Sequence, residues 1–199
     1  MEFNAQTLAE QYGVEYIYHI THISNLPSIA EHGLLSHNNP YCQVDISNQT
    51  VNGRRNTIEP IYRRKIHDYV PFYFSPKNPM LFVRRNIEDE LVILMFSCDL
   101  LFNDGMVFTD GNAACDNTYF SNDLNELDMI DWEVIKARYW HYYSDGKRKK
   151  MAEVLVPNCV ALNALVGACT YDMQSGLRVE EILGKCCTVY VDTGKTLFF

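Results

Sequence analysis

Glu153, Arg54 with Arg55, and His19 with Thr21 are the residues of this sequence whose types and surroundings could do chemistry. Glu153 interrupts an otherwise apolar stretch, Met151 to Val156, where strand alternation would put it on one face with Met151 and Leu155. A carboxylate on an enclosed face has a partner or a task, because burying it bare is costly. Alone, it reads slightly better as an edge-strand glutamate reaching water. Arg54 and Arg55 lie in a polar segment, where their guanidinium groups could hold phosphates bidentately or simply decorate a solvated turn. His19 and Thr21, two apart, share one face of a strand and could grip a polar ligand through a ring nitrogen and a hydroxyl. From that pair alone, a satisfied core histidine beside a strand-favouring threonine is the commoner arrangement.

The elements that must position these residues follow from the pattern. Ile17 to Ile20 reads as a strand and Ser24 as an N-cap. Leu26, Ile29 and Ala30 form the apolar face of a helix that stops at Gly33. Ser36 to Asp68 shows no periodicity and reads as one long loop. Strands are expected at Val70 to Phe74, Leu91 to Phe96, Gly105 to Thr109, Met151 to Val156, Val166 to Tyr171 and Cys187 to Val191. Helices are expected at Met80 to Arg84, Asp131 to Ala137 and Ser175 to Leu183, with a loop at Ala113 to Phe120. The unbroken apolar run LVILMF at Leu91 implies burial on both faces and a central position. Strands interleaved with helices, without an internal repeat, give an α+β class.

Composition narrows the rest. At 199 residues and 47 % apolar, the chain is expected to form one domain over residues 1–199. No apolar run approaches the ~20 residues of a membrane span, and Met1 to Gln11 lacks the pattern of a signal peptide. No membrane association and a cytoplasmic location are therefore expected. The seven cysteines lack paired metal-site spacing and read as reduced, mostly buried thiols, with Cys186 and Cys187 in a late strand; no metal is expected. The net charge of −8 excludes a general nucleic-acid coat protein. Basic residues nevertheless gather at Arg54, Arg55 and Arg63 to Lys65, and again at Lys147 to Lys150, as a local basic track or as solvated loops. No Gly-x-Gly-x-x-Gly turn follows a strand, and Gly194-Lys195-Thr196 lacks the upstream glycine of a P-loop, so neither common dinucleotide or nucleotide motif is present.

In combination the signals sharpen. The string IYHITHISNL from Ile17 to Leu26, followed by Ile29, Gly33, Leu34 and Leu35, closely resembles the opening of the DarT family of DNA ADP-ribosyltransferase toxins. So do Arg54-Arg55-Asn56, His67 to Pro76, Pro79-Met80-Leu81, Val107 to Asp110, Asp131-Trp132-Glu133 and Lys150 to Glu153, in order along the chain from about Tyr16 to Val156. The resemblance implies an ADP-ribosyltransferase fold, with small mixed sheets around an NAD cleft. It places NAD⁺, a co-substrate, against His19, Ile20 and Thr21, with Ser28 and Leu35 lining the pocket. The family's catalytic glutamate falls on Glu153 and its catalytic arginine on Arg55, which also borders the cofactor.

The reaction so implied moves ADP-ribose from NAD⁺ to a base of single-stranded DNA, thymidine by preference because His67 to Pro76 matches that branch, with guanosine the alternative acceptor. Tyr69, Tyr73, Tyr119, Trp140, Tyr142 and Tyr143 offer stacking surfaces, and the two basic groups offer phosphate contacts. Where some members carry a histidine after Thr109-Asp110, this chain has Cys115, Asp116 and Asn117. A DarG-type macrodomain antitoxin is the implied partner, and a monomer the implied state. A protein-directed transferase and a silent NAD-binding module are the competing readings.

Overall fold

The computed structural model describes residues 4–37, 39–46 and 53–199. Helix α1 (Ala5–Tyr12), which the sequence pattern did not reveal, starts from Asn4 and Thr7 in a reciprocal cap and ends at Gly13. Strand β1 (Tyr16–His22) leads through a 3-10 turn, Ile23–Asn25, into α2 (Leu26–His32). The expected N-cap at Ser24 is replaced by His22, whose ring accepts from the Ser24 N–H, because the turn begins two residues earlier than a Ser24 cap implies. Gly33 ends α2 at φ 78°, and a Cβ there would lie 2.8 Å from the Val160 carbonyl oxygen, so glycine is required on two counts.

Next come β2 (Leu34–Leu35), β3 (Tyr69–Tyr73), α3 (Pro79–Val83), β4 (Leu91–Ser97), β5 (Val107–Thr109) and β6 (Phe120–Ser121). The chain continues through α4 (Trp132–Lys136), α5 (Gly146–Lys149), β7 (Glu153–Pro157), β8 (Cys159–Val160), β9 (Leu165–Thr170), α6 (Met173–Leu183) and β10 (Thr188–Val191). Among the described residues the strands form an eight-stranded sheet, ordered β10-β9-β4-β1-β3-β7-β5-β6, and a two-stranded pair, β2-β8. β4 is interior: Val92, Leu94 and Phe96 join the core under α1, α2 and α6, while Leu91 and Ile93 pack on the other face with Leu81 and Phe198.

The larger sheet is nearly divided in the middle. β1 pairs with β4 along all seven of its residues but with β3 at one position, Tyr18 to Tyr73. Four strands therefore lie on each side of a seam that closes at one end and opens beyond it.

Three expectations need correction. The loop reading of Ser36 to Asp68 misses local order in residues 53–68; its positions 38 and 47–52 lie outside the described residues. The buried Glu59 carboxylate accepts from the backbone N–H groups of Ile61, Tyr62 and Arg64 and from the Tyr69 hydroxyl, organising the segment from inside. β7 begins at Glu153, with Met151 in the preceding turn. Cys98 and Cys169 alone of the seven free thiols are fully buried, and Cys186 and Cys187 precede β10 instead of lying in it. No helix among the described residues is long and apolar enough to cross a membrane.

Candidate active site

The open part of the seam holds a cavity of about 320 Å³. His19, Ile20 and Thr21 from β1, Pro71 and Tyr73 from β3, Ser28 from α2, Leu35 from β2, and Arg55 all border it. The residues singled out from sequence as cofactor contacts are thus gathered around one space. Glu153 is fully buried behind Arg55 and does not itself border the cavity.

Four separate segments hold Glu153. As the first residue of β7 it stands opposite Tyr73 of β3. Its N–H donates to Thr109 Oγ1 at 3.0 Å, and Thr109 in turn donates to the Gly111 carbonyl at 2.6 Å, which ties the carboxylate-bearing strand to the end of β5. One carboxylate oxygen accepts from the Ala113 N–H at 3.0 Å, and Arg55 spans both oxygens at 3.3 and 2.7 Å. Burial acts to lower the Arg55 pKa, but the adjacent Glu153 outweighs it and the guanidinium stays above its ordinary value. Burial, followed by the Glu153 charge, raises the Tyr73 phenol. That side chain is a buried member of the site rather than an exposed stacking platform.

His19 sits against the other lip of the seam, its Nδ1 2.8 Å from the Pro71 carbonyl oxygen. A carbonyl can only accept, so Nδ1 carries the proton and Nε2 of the neutral ring is left as an acceptor. Burial lowers its pKa to about 4, with Arg55 adding in the same direction against the opposing Pro71 hydrogen bond. The ring is therefore neutral near pH 7.

Two contributors were not legible beforehand. Asn25 donates to Thr21 Oγ1 at 3.0 Å and to the Val44 carbonyl, and accepts from the Gln43 and Val44 N–H groups, tethering the 39–46 segment over the cavity. Its amide spends every donor and acceptor direction on a short polar loop, a role nothing in its local sequence announces. Arg148 forms a two-pronged bond to Asp110 at 2.6 and 3.1 Å and a third to Asp145, fastening the 110–118 loop that supplies the Ala113 N–H. Gly111 packs directly beneath that guanidinium, where a Cβ would collide.

The basic run at Lys147 to Lys150 is less available than its sequence suggests. Arg148 is paired as described, Lys149 bonds Asp131 at 2.9 Å, and Lys150 is buried; Lys147 alone is exposed, and it borders the cavity. Of the six aromatics considered as stacking surfaces, Tyr69 and Tyr73 are core while Tyr119 and Tyr142 are exposed. Cys115 is partly buried near Arg148 and Arg54, and burial raises its pKa against both arginines.

Comparisons with known proteins place the chain among relatives of similar sequence and fold. The family model described as "ssDNA thymidine ADP-ribosyltransferase, DarT" matches residues 18–197. A DNA ADP-ribosyl transferase of Thermus sp. (strain 2.9) is 34 % identical over 180 residues, covering 84 % of this chain and 86 % of the relative. A DNA ADP-ribosyl transferase-DNA ADP-ribosyl glycohydrolase fusion protein of Thermosipho africanus is 34 % identical over 161 residues, 72 % of this chain and 39 % of the fusion. Thermus sp. 2.9 DarT in complex with ADP-ribosylated single-stranded DNA superposes with a TM-score of 0.85 at 31 % identity, covering 94 % of this chain and 97 % of that one. Its NAD⁺ complex gives 0.80 at 30 % identity, covering 94 % and 98 %.

Proposed function

The chain belongs to the DarT family, and from that premise we propose that it transfers ADP-ribose from NAD⁺ to thymidine in single-stranded DNA, as a toxin held in check by a macrodomain partner. The observation that carries the reading is the Glu153 carboxylate, fully buried beside the seam cavity and held by a side chain, Arg55, that itself borders that cavity.

In this mechanism NAD⁺ lies along the open edge of β1. Neutral His19 accepts a hydroxyl through Nε2, and Thr21, held by Asn25, fixes the other side. The bond between the ribose C1′ and the nicotinamide nitrogen breaks, the electron pair leaving with neutral nicotinamide, and positive charge develops on the sugar. A carboxylate hydrogen-bonded to the ribose hydroxyls stabilises that charge more than it stabilises the ground state. Arg55 turns from Glu153 toward the pyrophosphate or the incoming base as the substrates enter. The base nitrogen then bonds C1′ and gives up its proton, for which Glu153 is the nearest acceptor. Arg55 cannot take that proton, since its guanidinium stays charged, and it serves to position and neutralise.

Thymidine as acceptor is supported by the family description, and the restrained toxin by the Thermosipho relative, in which a transferase is joined to a glycohydrolase. The test is to incubate wild type and Glu153→Ala with NAD⁺ and single-stranded oligonucleotides differing in one base, then weigh the DNA. An ADP-ribose increment from wild type alone, on thymine-containing strands, is the expected result. An increment on guanine-containing strands alone corrects the base, and none on any strand while NAD⁺ is still consumed overturns DNA as the acceptor.

A further inference from the structure

A second cavity, of about 490 Å³, adjoins the turn before β7 and shares no bordering residue with the first. Neighbours along the chain divide between the two: Tyr73 and Met151 border the first, Phe74 and Lys150 the second. The second is strongly cationic. Lys77, Lys136, Arg138, Lys150 and Lys195 border it and no aspartate or glutamate does, in a chain with 17 basic residues and a net charge of −8.

Direct ion pairs do not neutralise these charges. None of the five forms an ion pair among the described residues. Their hydrogen bonds go to carbonyls: Lys77 to Lys195 at 2.8 Å, Lys195 to Tyr171 at 2.9 Å, and Lys150 to Ile135 and Ala137 at 2.5 and 2.7 Å. The carboxylates that act on Lys77, Asp192 and Glu88, accept backbone N–H groups of the C-terminal residues, from Thr196 to Phe198 and from Phe199. The cost shows in the cations: burial and then Lys77 bring Lys150 down to about 8, and burial and then Arg138 lower Lys77. Like charges gathered in one concave space focus a positive potential that an anion relieves. The volume is that of a small-ligand site, and Tyr18 and Trp132 add aromatic surface to its wall.

We propose that this cavity is a phosphate-binding subsite, separate from the NAD⁺ cleft, that takes a backbone phosphate of the DNA strand a few nucleotides from the modified base. It rests on the DNA reading above. The location favours the strand as the source: Lys150 lies three residues from Glu153, at most ~11 Å along the chain, so a strand passing the catalytic carboxylate can round that edge.

The test uses the charge reversals Lys136→Glu and Arg138→Glu together, since both side chains are exposed. The control is Arg178→Glu with Lys185→Glu on and just after α6, the same change in net charge at exposed positions away from both cavities. Transfer to four- and twelve-nucleotide oligonucleotides is measured against salt, and melting temperatures are measured with and without inorganic pyrophosphate. The expected result is a severalfold rise in KM for the twelve-mer, little change for the four-mer or for NAD⁺, and a salt slope smaller by ~0.7 for each phosphate no longer held. The control pair should leave all three unchanged, and pyrophosphate should stabilise wild type more than it stabilises the K136E/R138E variant. Equal effects from both pairs, or pyrophosphate stabilisation of K136E/R138E equal to that of wild type, overturn the subsite. Loss of pyrophosphate stabilisation with an unchanged twelve-mer KM keeps the phosphate site and assigns it to a free phosphate ligand instead of the strand. If wild type modifies no oligonucleotide, the functional reading fails and pyrophosphate stabilisation alone decides the subsite.

Discussion

Glu59 and Glu153 are withdrawn from solvent to the same degree, at 1 % and 0 % exposure, yet their surroundings differ in kind. Glu59 is met by backbone N–H groups of Ile61, Tyr62 and Arg64 and by one hydroxyl, all fixed by the chain that wraps it. Glu153 is met by one backbone N–H and by the Arg55 side chain, which can rotate into the adjoining cavity. A carboxylate neutralised by fixed backbone dipoles builds a loop. One neutralised by a guanidinium at a cavity wall can exchange that partner for a substrate. Glu59 also serves Glu153 at a distance, because the segment it organises carries Arg55, whose carbonyl accepts from the His67 N–H.

The largest effect that separates the two belongs to Glu153→Gln. Transfer should fall by ~10²–10³-fold, as for other losses of transition-state charge stabilisation, while the urea midpoint falls less than for Glu59→Gln, because the released Arg55 borders the cavity and can turn into it. A midpoint drop without loss of turnover would erase the distinction. Glu59→Gln should do the reverse, because its amide NH₂ would face backbone donors. A stability loss of about 3 kcal/mol, the scale for breaking a buried charged arrangement, should appear in urea unfolding, with residual transfer in the folded fraction.

Arg148→Gln sharpens the comparison by loosening the loop that supplies Ala113 without touching Glu153 or Arg55. Losing its bonds to Asp110 and Asp145 should cost about 1–2 kcal/mol and lower turnover more than it raises the KM for NAD⁺, since Arg148 touches neither cavity. The smallest effect is in pH. His19 titrates near 4 in the folded protein and near its ordinary 6.5 unfolded, so the unfolded chain binds the extra proton between those values. Its contribution to stability is complete above about pH 6.5 and declines as pH falls toward 4. His19→Asn should flatten the melting-temperature profile in that window alone.

The elements were largely readable in advance because their determinants are local. The apolar run LVILMF gave β4, the helical pattern of Asp131 to Ala137 gave α4, and Gly33 ended α2, each within a residue or two of its observed bounds. Helix α1 escaped because it offers the core only Leu8 and Tyr12 as fully buried anchors. The candidate residues His19, Ile20, Thr21, Ser28, Leu35 and Arg55 were named from blocks of sequence, and the fold brings them to one cavity.

What the sequence determined by itself was therefore the α+β order of elements, the family blocks and the identities of the reactive side chains. These depend on residue type and short-range periodicity. The tertiary structure decided which charges are free and which are spent. Arg55 and Glu153 pair across 98 positions, Arg148 and Asp110 across 38, and Asn25 reaches Val44 over a loop. The same folding paired or buried three of the four basic residues at 147–150 and opened the seam between β1 and β3. No local pattern encodes these outcomes, because a buried charge is settled by whichever partner the fold brings within hydrogen-bond reach, at the cost of leaving it unpaired otherwise.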